Sequence, residues 1–551
     1  EIGRGLLRAG IETSLLLHRA GLCLDAVGRV LYRKYVSRKL LLEWQTAAST
    51  YGSAQSAASA FLMRLATGSA LSGAIALALL KIGGSAIVAA SPFLLAWAVA
   101  PLVVWWLARD TDKTEDIAFA AGEARYLREV ARETWRYFDD FVGPQTNWLP
   151  PDNYQESLNV EIAQRTSPTN MGLALLAVVA AHDFGWLSLD EVASRCNSTL
   201  ETLDEMEKYE GHLLNWYSSL DLSPLRPRYV STVDSGNLLG SLWTLARSMR
   251  EVLRAPLFNE KPLEGIRDVV GILERALGDD KSAFETELGE IHRLLDVRHN
   301  ATTEILDTIR RLERPAGSLS RALSLRPLPR KTSQRLRSDL HSAATDPRFT
   351  ISPPSYWAAQ LETQLDLWIQ SISRYGRWLE SLAAPADEFL LSLGLDAPDL
   401  RRKALAHPIS LADLGRGELP ELKELLNRRE TPGVPTEVRD WAQKVADEWN
   451  RSRWLAGEML AQCEGVVDRA RGLADGMDMR FLFDGEKKLF SIGYNVDERR
   501  LDSSYYDLLA SECRLASFCA VARGDVPASH WLALGRRFAD TPEGAALMSW
   551  S

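Results

Sequence analysis

A loop at residues 147–156, NWLPPDNYQE, combines aromatic rings with amide and carboxylate groups, which are the side chains that bind sugars. The apolar face of a pyranose ring stacks on tryptophan or tyrosine, and its hydroxyls pair with planar side chains that offer two hydrogen-bonding atoms. The two prolines stiffen the backbone of this loop. The pattern therefore predicts a substrate-binding role for Trp148, Asp152, Asn153 and Gln155.

Two further loops carry polar side chains immediately before an apolar helical segment. In residues 165–173, RTSPTNMGL, we expect a helix to begin near Pro168. Helix capping explains the serine, threonine and proline but not Arg165 and Asn170, so capping and sugar binding are equal alternatives here. Residues 229–238, YVSTVDSGNL, repeat the arrangement. The substrate-binding residues that these two loops predict are Arg165, Thr166, Asn170, Asp234, Ser235 and Asn237.

A fourth polar region, residues 491–497 and 501–512, brings tyrosines and aspartates to another expected helix start. Capping by Asp502 or Ser503 would explain part of this pattern. Several polar and aromatic loops at one end of a helical domain would instead form a cleft suited to a sugar. For each aspartate, a structural role in capping or in pairing with arginine is an equally good explanation. The substrate-binding residues predicted in this region are Tyr494, Asp502, Tyr505, Tyr506 and Asp507.

The segment from Gly68 to Ala108 contains one charged residue, Lys81, and predicts a transmembrane hairpin. We expect a first pass at about 69–90, a turn at Ser91 and Pro92, and a second pass at about 93–107. Basic residues on both sides would place both flanks in the cytoplasm by the positive-inside rule. The alternative is a buried hairpin of a soluble protein, because Lys81 and the many small residues weaken the hydropathy.

After about residue 115, apolar residues recur with helical spacing between loops that contain glycine, proline and asparagine. Residues 250–478 read as a charged helical block without sugar-binding chemistry, so we predict an insertion that packs or spaces domains. Around Asp484 and Gly485, two short alternating runs predict a β-hairpin. The pattern as a whole indicates a mainly helical chain.

Composition and motifs argue against several other classes of protein. The chain has 73 acidic and 64 basic residues, a formal net charge of −9, which disfavours a nucleic-acid partner. Its five scattered cysteines have neither the spacing of a zinc site nor that of a disulfide framework. Nucleophile motifs and glycine-rich nucleotide-binding motifs are absent from the sequence. We expect neither a metal nor a cofactor within these residues.

Several of these segments resemble the cyclic beta-1,2-glucan synthases. The loops at 148–156, 165–170 and 229–238 are similar to the glycoamylase-like domain of that family. Residues 24–26 (LDA) and 38–47 (RKLLLEWQTA) resemble the end of its membrane glycosyltransferase region. The resemblance covers about residues 1–249 and 478–551. Further segments similar to the glycoamylase-like domain are 211–217 (GHLLNWY), 489–495 (LFSIGYN) and 501–512 (LDSSYYDLLASE).

The resemblance implies an all-α fold class: a membrane helical hairpin followed by part of an (α/α)6 barrel with a helical insertion and a small β-hairpin. It also implies a location at the bacterial inner membrane, with the soluble part in the cytoplasm. The expected segments are interfacial or cytoplasmic helices that end the glycosyltransferase region (1–67), a transmembrane hairpin (68–108), the first part of the glycoamylase-like domain (115–249), the insertion (250–478), and the truncated continuation of the glycoamylase-like domain (479–551).

In such enzymes, a glycosyltransferase extends the glucan from UDP-glucose, the glycoamylase-like domain cyclises it by transglycosylation, and a phosphorylase-like domain adjusts its length. The partners that the resemblance implies are a beta-1,2-glucan, the membrane and the remaining domains of the same polypeptide, with no nucleic acid. The chain begins at Glu1 and ends at Ser551, before the segment in which the resemblance places the catalytic glutamates. We therefore expect a fragment that binds glucan but lacks those glutamates.

Two other functions are compatible with the sequence. One is a beta-1,2-glucan hydrolase or phosphorylase, which would need two suitably spaced carboxylates within the chain. The other is a non-catalytic helical membrane scaffold, which would have no affinity for oligosaccharides. Binding of a sugar would distinguish the scaffold from the two carbohydrate-active alternatives.

Overall fold

A computed structural model describes residues 2–37, 69–81, 83–107, 121–155, 161–299, 301–325, 353–541 and 544–550. The chain divides into two compact units, residues 1–119 and 120–551. In both units, most of the described residues are helical. The predicted division into five segments stays a prediction.

The helices of the smaller unit are α1 (Ile2–Tyr32), α2 (69–81), α3 (Gly84–Ala98) and α4 (Ala100–Leu107). Side-chain hydrogen bonds join three of them. The indole Nε1 of Trp97 in α3 donates to the carbonyl oxygen of Thr13 in α1 at 3.0 Å. The hydroxyl of Ser72 in α2 donates to the carbonyl oxygen of Leu94 in α3 at 2.9 Å. These bonds fix the packing of α2 and α1 on α3.

The predicted transmembrane hairpin is wrong, because no helix among the described residues is long and apolar enough to cross a membrane. The helix is interrupted at Gly83, because its φ of 148° is not helical. Helix α3 then runs without a break through Ser91 and Pro92, where the sequence predicted a turn. Pro92 lies inside α3. It removes the N–H that would bond to the carbonyl of Val88, and the hydroxyl of Ser91 donates to that carbonyl instead, at 2.8 Å. The predicted membrane location loses the support of this segment.

The predicted fold class must be corrected in a second respect, since the described residues are mostly helical but not all-α. In the described residues, short strands form several two-stranded sheets and one three-stranded sheet between the helices. Their bounds are β1 (Tyr154–Gln155), β2 (Glu161–Ile162), β3 (Arg165–Thr166), β4 (Lys208–Tyr209), β5 (His212–Leu213), β6 (Tyr217–Ser218), β7 (Tyr229–Ser231), β8 (Phe483–Asp484), β9 (Leu489–Phe490), β10 (Gly493–Asn495), β11 (Arg500–Leu501), β12 (Ala510–Ser511), β13 (Phe538–Thr541), β14 (Gly544–Leu547) and β15 (Ser549–Trp550).

Two of these sheets join loops that are far apart in sequence. Strand β3 pairs antiparallel with β6, which places Thr166 opposite Tyr217. Strand β10 lies between β7 and β11, so Tyr494 is opposite both Val230 and Leu501. The segment around residue 485 forms a hairpin in which β8 pairs with β9. The short sheets therefore hold the polar loops of the sequence beside one another.

The helices of the larger unit form one continuous apolar core. They are α5 (Ala121–Phe141), α6 (Pro168–Asp183), α7 (Leu189–Glu205), α8 (Thr232–Val252), α9 (Lys261–Leu277), α10 (Glu285–Leu295), α11 (Thr302–Leu325), α12 (Pro354–Tyr375), α13 (Arg377–Ala383), α14 (Asp387–Leu390), α15 (Ala397–Ala406), α16 (Leu411–Arg416), α17 (Pro420–Asn427), α18 (Thr436–Gly476), α19 (Arg514–Arg523) and α20 (Ser529–Ala533).

Helix α18 organises much of this core. Its 41 residues bury one stripe in which the apolar positions recur at steps of three and four, for example Val438, Ala442 and Val445. The stripe packs against α7, α8, α13 and α16. Helix α8 also packs against α6 and α19. The N-terminal end of α8, which carries part of the candidate site, is therefore set by neighbours from distant parts of the sequence.

A buried carboxylate ties α5 to α9. Asp268 in α9 is 3% exposed and accepts hydrogen bonds from Arg128 Nε at 2.9 Å, Arg128 Nη2 at 2.8 Å and Trp186 Nε1 at 2.9 Å. Burial raises the pKa of Asp268, while the hydrogen bonds from Arg128 and Trp186 oppose that shift. Removing the carboxylate would leave the guanidinium and the indole N–H without this acceptor.

We expect Asp268→Ala to lower the free energy of unfolding by ~1–3 kcal/mol, because the Trp186 indole and the Arg128 guanidinium lose a buried acceptor, although Arg128 keeps its ion pair with Glu264. Chemical denaturation followed by circular dichroism measures the loss. The matched control is Asp399→Ala, which removes a carboxylate paired with Lys403 on the surface and should leave the midpoint unchanged. Equal midpoints for the parent and Asp268→Ala would contradict the structural role of Asp268.

Candidate functional site

The N-termini of α6 and α8 are capped in the same way. The hydroxyl of Ser167 accepts a hydrogen bond from the backbone N–H of Asn170 at 3.3 Å, and the hydroxyl of Ser231 accepts one from the backbone N–H of Asp234 at 3.3 Å. Both serines have extended backbone, as helix caps require. Capping, one of the two alternatives for residues 165–173, therefore forms, and the loop at 229–238 is capped in the same way.

Asp234 links the two helix starts. Its Oδ1 accepts hydrogen bonds from Thr169 in α6, from the hydroxyl at 2.7 Å and from the backbone N–H at 3.4 Å. The amide Nδ2 of Asn237 donates to the same Thr169 hydroxyl at 3.1 Å. The carboxylate of Asp234 in α8 thus caps the start of the neighbouring helix α6.

Asp152 is the second carboxylate of this region. Its Oδ2 accepts from Arg165 Nε at 3.2 Å, from Arg165 Nη2 at 3.0 Å and from Asn153 Nδ2 at 3.0 Å. Its Oδ1 accepts from Asn170 Nδ2 at 3.3 Å. Asn170 follows Thr169 in the first turn of α6, so this turn contacts both Asp152 and Asp234. The two loops predicted separately from the sequence form one hydrogen-bonded group.

Trp216 completes this group from a third segment. The guanidinium carbon of Arg165 lies 5.0 Å from the centroid of the Trp216 ring. Hydrogen bonding orients the side-chain amide of Asn215 so that its nitrogen donates to Asp234 Oδ2 at 3.0 Å and its oxygen accepts from Trp216 Nε1 at 3.2 Å. We call the whole group the polar cluster: Asp152, Asn153, Arg165, Thr169, Asn170, Asn215, Trp216, Asp234 and Asn237.

Three members of the polar cluster, Thr169, Asn215 and Trp216, were missed as site residues. Thr169 was assigned to helix capping. Asn215 and Trp216 lie in the segment 211–217, which was recognised for its family resemblance but not for chemistry. Their adjacent amide and indole gave a signal of the kind used for the other loops. What the sequence did not show is the β3–β6 pairing that places them beside Arg165.

Two predicted site residues lie in the interior. Thr166 is fully buried, and Ser235 is 1% exposed. The hydroxyl of Ser235 is 2.8 Å from His212 Nδ1, and His212 Nε2 is 2.9 Å from the carbonyl oxygen of Asp478. A carbonyl only accepts, so Nε2 carries the proton and Nδ1 accepts from Ser235. Ser235 thus participates in a buried network rather than facing the polar cluster.

A second aromatic group surrounds the sheet of β7, β10 and β11. Tyr494 stacks on Tyr209, with ring centroids 5.3 Å apart and an interplanar angle of 16°. The hydroxyl of Tyr229 lies 3.4 Å from Asp502 Oδ2. Burial is the main cause that raises the pKa of Tyr229, and the Asp502 carboxylate adds to it. Tyr494 lies in β10 and Asp502 directly follows β11, so both are at one sheet, while their predicted contact with substrate stays a prediction.

The other predicted residues of the fourth region have separate surroundings. Tyr505 donates to Asp484 Oδ2 at 2.8 Å, and Lys487 Nζ lies 3.6 Å from the centroid of its ring. Tyr506 lies 3.3 Å from Glu512 Oε1. Asp507 is exposed, and its backbone carbonyl accepts from the N–H of Gly535 at 2.6 Å. For these residues too, substrate binding stays a prediction.

The remaining predicted residues, Trp148 and Gln155, belong to the loop at 147–155. Gln155 is exposed in β1, opposite Glu161 in β2. Trp148 is half-buried and lines a groove. Within the part of the chain that the structure describes, no three His, Cys, Asp or Glu side chains are grouped as a metal site would require.

A protein family, a similar protein and a solved structure match this chain. A family described as a protein of unknown function, DUF3131, matches residues 129–248. The chain is 34% identical over 548 residues to a cyclic beta-(1,2)-glucan synthase, NdvB, from Rhizobium meliloti (strain 1021). The match includes 99% of this chain and 16% of the length of that relative. The predicted resemblance to the cyclic beta-1,2-glucan synthases is confirmed.

Among solved structures, the crystal structure of a putative glucoamylase from Bacteroides fragilis NCTC 9343 matches with a TM-score of 0.21 and 16% identity. The alignment covers 26% of this chain and 35% of the glucoamylase. A score this low does not establish a shared fold. The similarity to NdvB is therefore the comparison that bears on function, and the matched DUF3131 region contains the polar cluster.

The buried His212 makes the stability of the larger unit depend on pH. Burial is the main cause that lowers the pKa of His212, to about 4. His212 is neutral in the folded protein down to a lower pH than in the unfolded chain. The free energy of unfolding is therefore fully retained above the unfolded-state pKa and falls as the pH drops towards 4. We expect a loss of up to about 3 kcal/mol between pH 7 and pH 4 from this residue. Denaturant unfolding at a series of pH values measures it.

The matched variants are His212→Gln and His407→Gln. His407 is exposed, so its replacement should leave the pH dependence of the parent unchanged. His212→Gln should make that dependence weaker below pH 6.5, even if it also lowers stability at neutral pH, while His182 and His530, whose pKa values burial also lowers, keep their share. A pH profile parallel to that of the parent would show that His212 does not hold its neutral form in the folded protein.

Proposed function

We propose that this chain contributes to binding beta-1,2-glucan and to cyclising it by transglycosylation, with the polar cluster as its sugar-binding site. The observation that carries the proposal is the convergence of amide, carboxylate, guanidinium and indole groups at the starts of α6 and α8. The similarity to a cyclic beta-(1,2)-glucan synthase supports the choice of sugar. The chain matches 16% of that relative, so the activity of the whole enzyme is part of the proposal.

The chemistry of the polar cluster suits a ligand that has many hydroxyls. Asn153, Asn170 and Asn237 each offer an amide, and Trp216 offers an indole face of which one side meets Arg165. Amide and carboxylate side chains can donate to or accept from adjacent hydroxyls of one ring, while an aromatic ring covers its apolar face. The internal hydrogen bonds of the cluster hold these groups in position before a ligand arrives, which lowers the entropy cost of binding.

Within this proposal, Asp152 and Asp234 bind sugar hydroxyls. Retaining transglycosylation needs a nucleophile and an acid/base carboxyl group about 5 Å apart. Asp152 is engaged by Arg165 and Asn170, and Asp234 is engaged by Thr169 and Asn215. Asp152 Oδ1 and Asp234 Oδ2 each accept one hydrogen bond from these partners, so each oxygen keeps a lone pair for a sugar hydroxyl. We therefore assign them to binding and orientation, and assign no catalytic residue.

We expect the full 551-residue chain to bind linear beta-1,2-gluco-oligosaccharides and not cello-oligosaccharides of equal length. Trp216→Ala should weaken this binding about tenfold, because it removes the aromatic face and the ring that orients Arg165. Trp216→Phe retains a ring and should lose less. Isothermal titration calorimetry measures each affinity, and circular dichroism shows that each variant is folded.

Trp454→Ala is the matched control, because Trp454 is 65% exposed on α18 and outside the polar cluster. Its affinity should equal that of the parent. The proposal would be wrong if the folded parent bound neither class of oligosaccharide, or if it bound cello-oligosaccharides equally well. Release of shortened linear products from a bound oligosaccharide would instead favour the hydrolase or phosphorylase alternative.

A further inference from the structure

A groove separate from the polar cluster lies beside the loop that carries Trp148. It has a volume of about 520 Å³ and is lined on one side by the end of α5 and the following turn, and on the other by Ile162, Gln164 and Arg195. Binding sites for small molecules have volumes of about 300–1,000 Å³, so the groove is large enough for a short oligosaccharide. It is an open surface feature rather than an enclosed cavity.

The backbone that presents Trp148 to this groove is unusual. Asn147 has a φ of 51° and Trp148 a φ of 59°, so two consecutive residues with side chains adopt the left-handed conformation. Such a conformation costs of order 1 kcal/mol or more for each residue that is not glycine. A structural turn would be cheaper with glycine at either position. The sequence nevertheless places a large indole there.

Hydrogen bonds from two other segments hold this conformation. The N–H of Trp148 donates to the Gly143 carbonyl at 2.8 Å, and its carbonyl accepts from the Thr199 hydroxyl at 3.1 Å. The carbonyl of Asn147 accepts from the Thr202 hydroxyl at 2.8 Å, and its side-chain amide donates to the carbonyl oxygen of Ser219 at 2.9 Å. The loop is thereby fixed to α7 and to the segment after β6.

The indole itself is left available. Trp148 is half-buried, and no described residue accepts a hydrogen bond from its ring nitrogen. The next residue, Leu149, is fully buried and anchors the loop in the core. A rigid backbone limits the positions that the ring can take, which lowers the entropy cost of ordering it on binding. This is the arrangement that stacking on a pyranose requires.

Polar groups beside the indole are also held in place. Asp139 Oδ1 accepts from Arg195 Nη2 at 3.1 Å, and Arg195 Nε donates to Glu191 at 2.6 Å. Asp140 Oδ1 accepts from the Tyr356 hydroxyl at 2.7 Å. Because Arg195 pairs with Asp139 and Arg136 pairs with Asp140, the groove offers oriented acceptors with little uncompensated charge. These properties suit neutral hydroxyls better than a charged ligand.

The groove adjoins the polar cluster through two consecutive residues. Gln164 lines the groove and accepts from the Ser219 hydroxyl at 3.0 Å, which leaves its amide nitrogen for a ligand. Arg165, the next residue, belongs to the polar cluster through Asp152. An extended backbone directs successive side chains to opposite faces. The same short segment therefore contacts both sites.

We propose that the groove at Trp148 is an additional saccharide subsite, which binds glucosyl residues of a linear beta-1,2-glucan beyond those held by the polar cluster. This inference rests on the proposed function, because it takes the same class of ligand. It adds a dependence on chain length: an oligosaccharide long enough to reach the groove binds more tightly than one that fills the polar cluster alone.

The test compares short and long linear beta-1,2-gluco-oligosaccharides on the full chain by isothermal titration calorimetry. Trp148→Ala should weaken binding of the long oligosaccharides about tenfold and leave that of the short ones unchanged. Trp148→Phe should restore part of the loss. Since Trp148→Ala could also disturb its loop, Ile162→Trp serves as a second variant: it fills the groove from the opposite side and should produce the same dependence on length.

Trp454→Ala is again the control, and Trp216→Ala reports on the polar cluster. If Trp148→Ala and Ile162→Trp bound oligosaccharides of every length as the parent does, while Trp216→Ala still weakened binding, the groove would not be a subsite and the proposed function would stand. If the parent bound no oligosaccharide of any length, the proposed function would fail and the subsite with it.

Discussion

The hydrogen bond between Thr169 and Asp234 is the contact on which the candidate site depends. It joins the first turns of α6 and α8, so that the loops preceding both helices meet at the same place. The close approach needs a residue without a side chain at Gly172, where a Cβ atom would lie 2.7 Å from the Ser241 hydroxyl oxygen. The unpaired N–H groups of a helix start favour a negative charge. Asp234 supplies it to both helices.

This contact also explains why the polar groups of the site can be rigid. Each helix start is first closed by its own serine, Ser167 or Ser231, and the aspartate then bridges the two. Asp152 is fixed in turn through Asn170, and Asp152 fixes Arg165. In this series, each hydrogen bond is made by a residue that the previous hydrogen bond has already positioned. A change at Thr169 would therefore reach Arg165 although the two do not bond to each other.

The local chemistry of the site could be predicted from the sequence, but its assembly could not. Serine before a helix start is a local signal, because the cap bonds to a residue three positions away. The meeting of Trp216 with Arg165 depends on β3 and β6, which are two residues long. Strands so short have no alternation to detect. The interior position of Ser235 could not be predicted either, because a polar side chain that faces His212 has the same sequence signal as one that faces solvent.

In the fold, as in the site, features set by neighbouring residues could be predicted and features set by particular local exceptions or distant contacts could not. Helical periodicity indicated the helices of the larger unit because burial on one face repeats along each of them, as in α18. The prediction for residues 68–108 assumed that Pro92 ends a helix. It did not take account of Ser91, whose hydroxyl satisfies the carbonyl that proline leaves open. The prediction also placed no helix break at Gly83, because a glycine in an apolar sequence can lie either inside a helix or at its end.

The electrostatics of the two neighbouring sites favour an uncharged ligand. Arg165 offsets Asp152, and Arg195 offsets Asp139, so neither site has the excess of cations that a phosphate or nucleic acid requires. Paired carboxylates still accept hydrogen bonds, and the arginines still donate them. Sites built in this way gain affinity from the number and direction of hydrogen bonds rather than from net charge. A long neutral chain of hydroxyl-bearing rings can satisfy many such groups in succession.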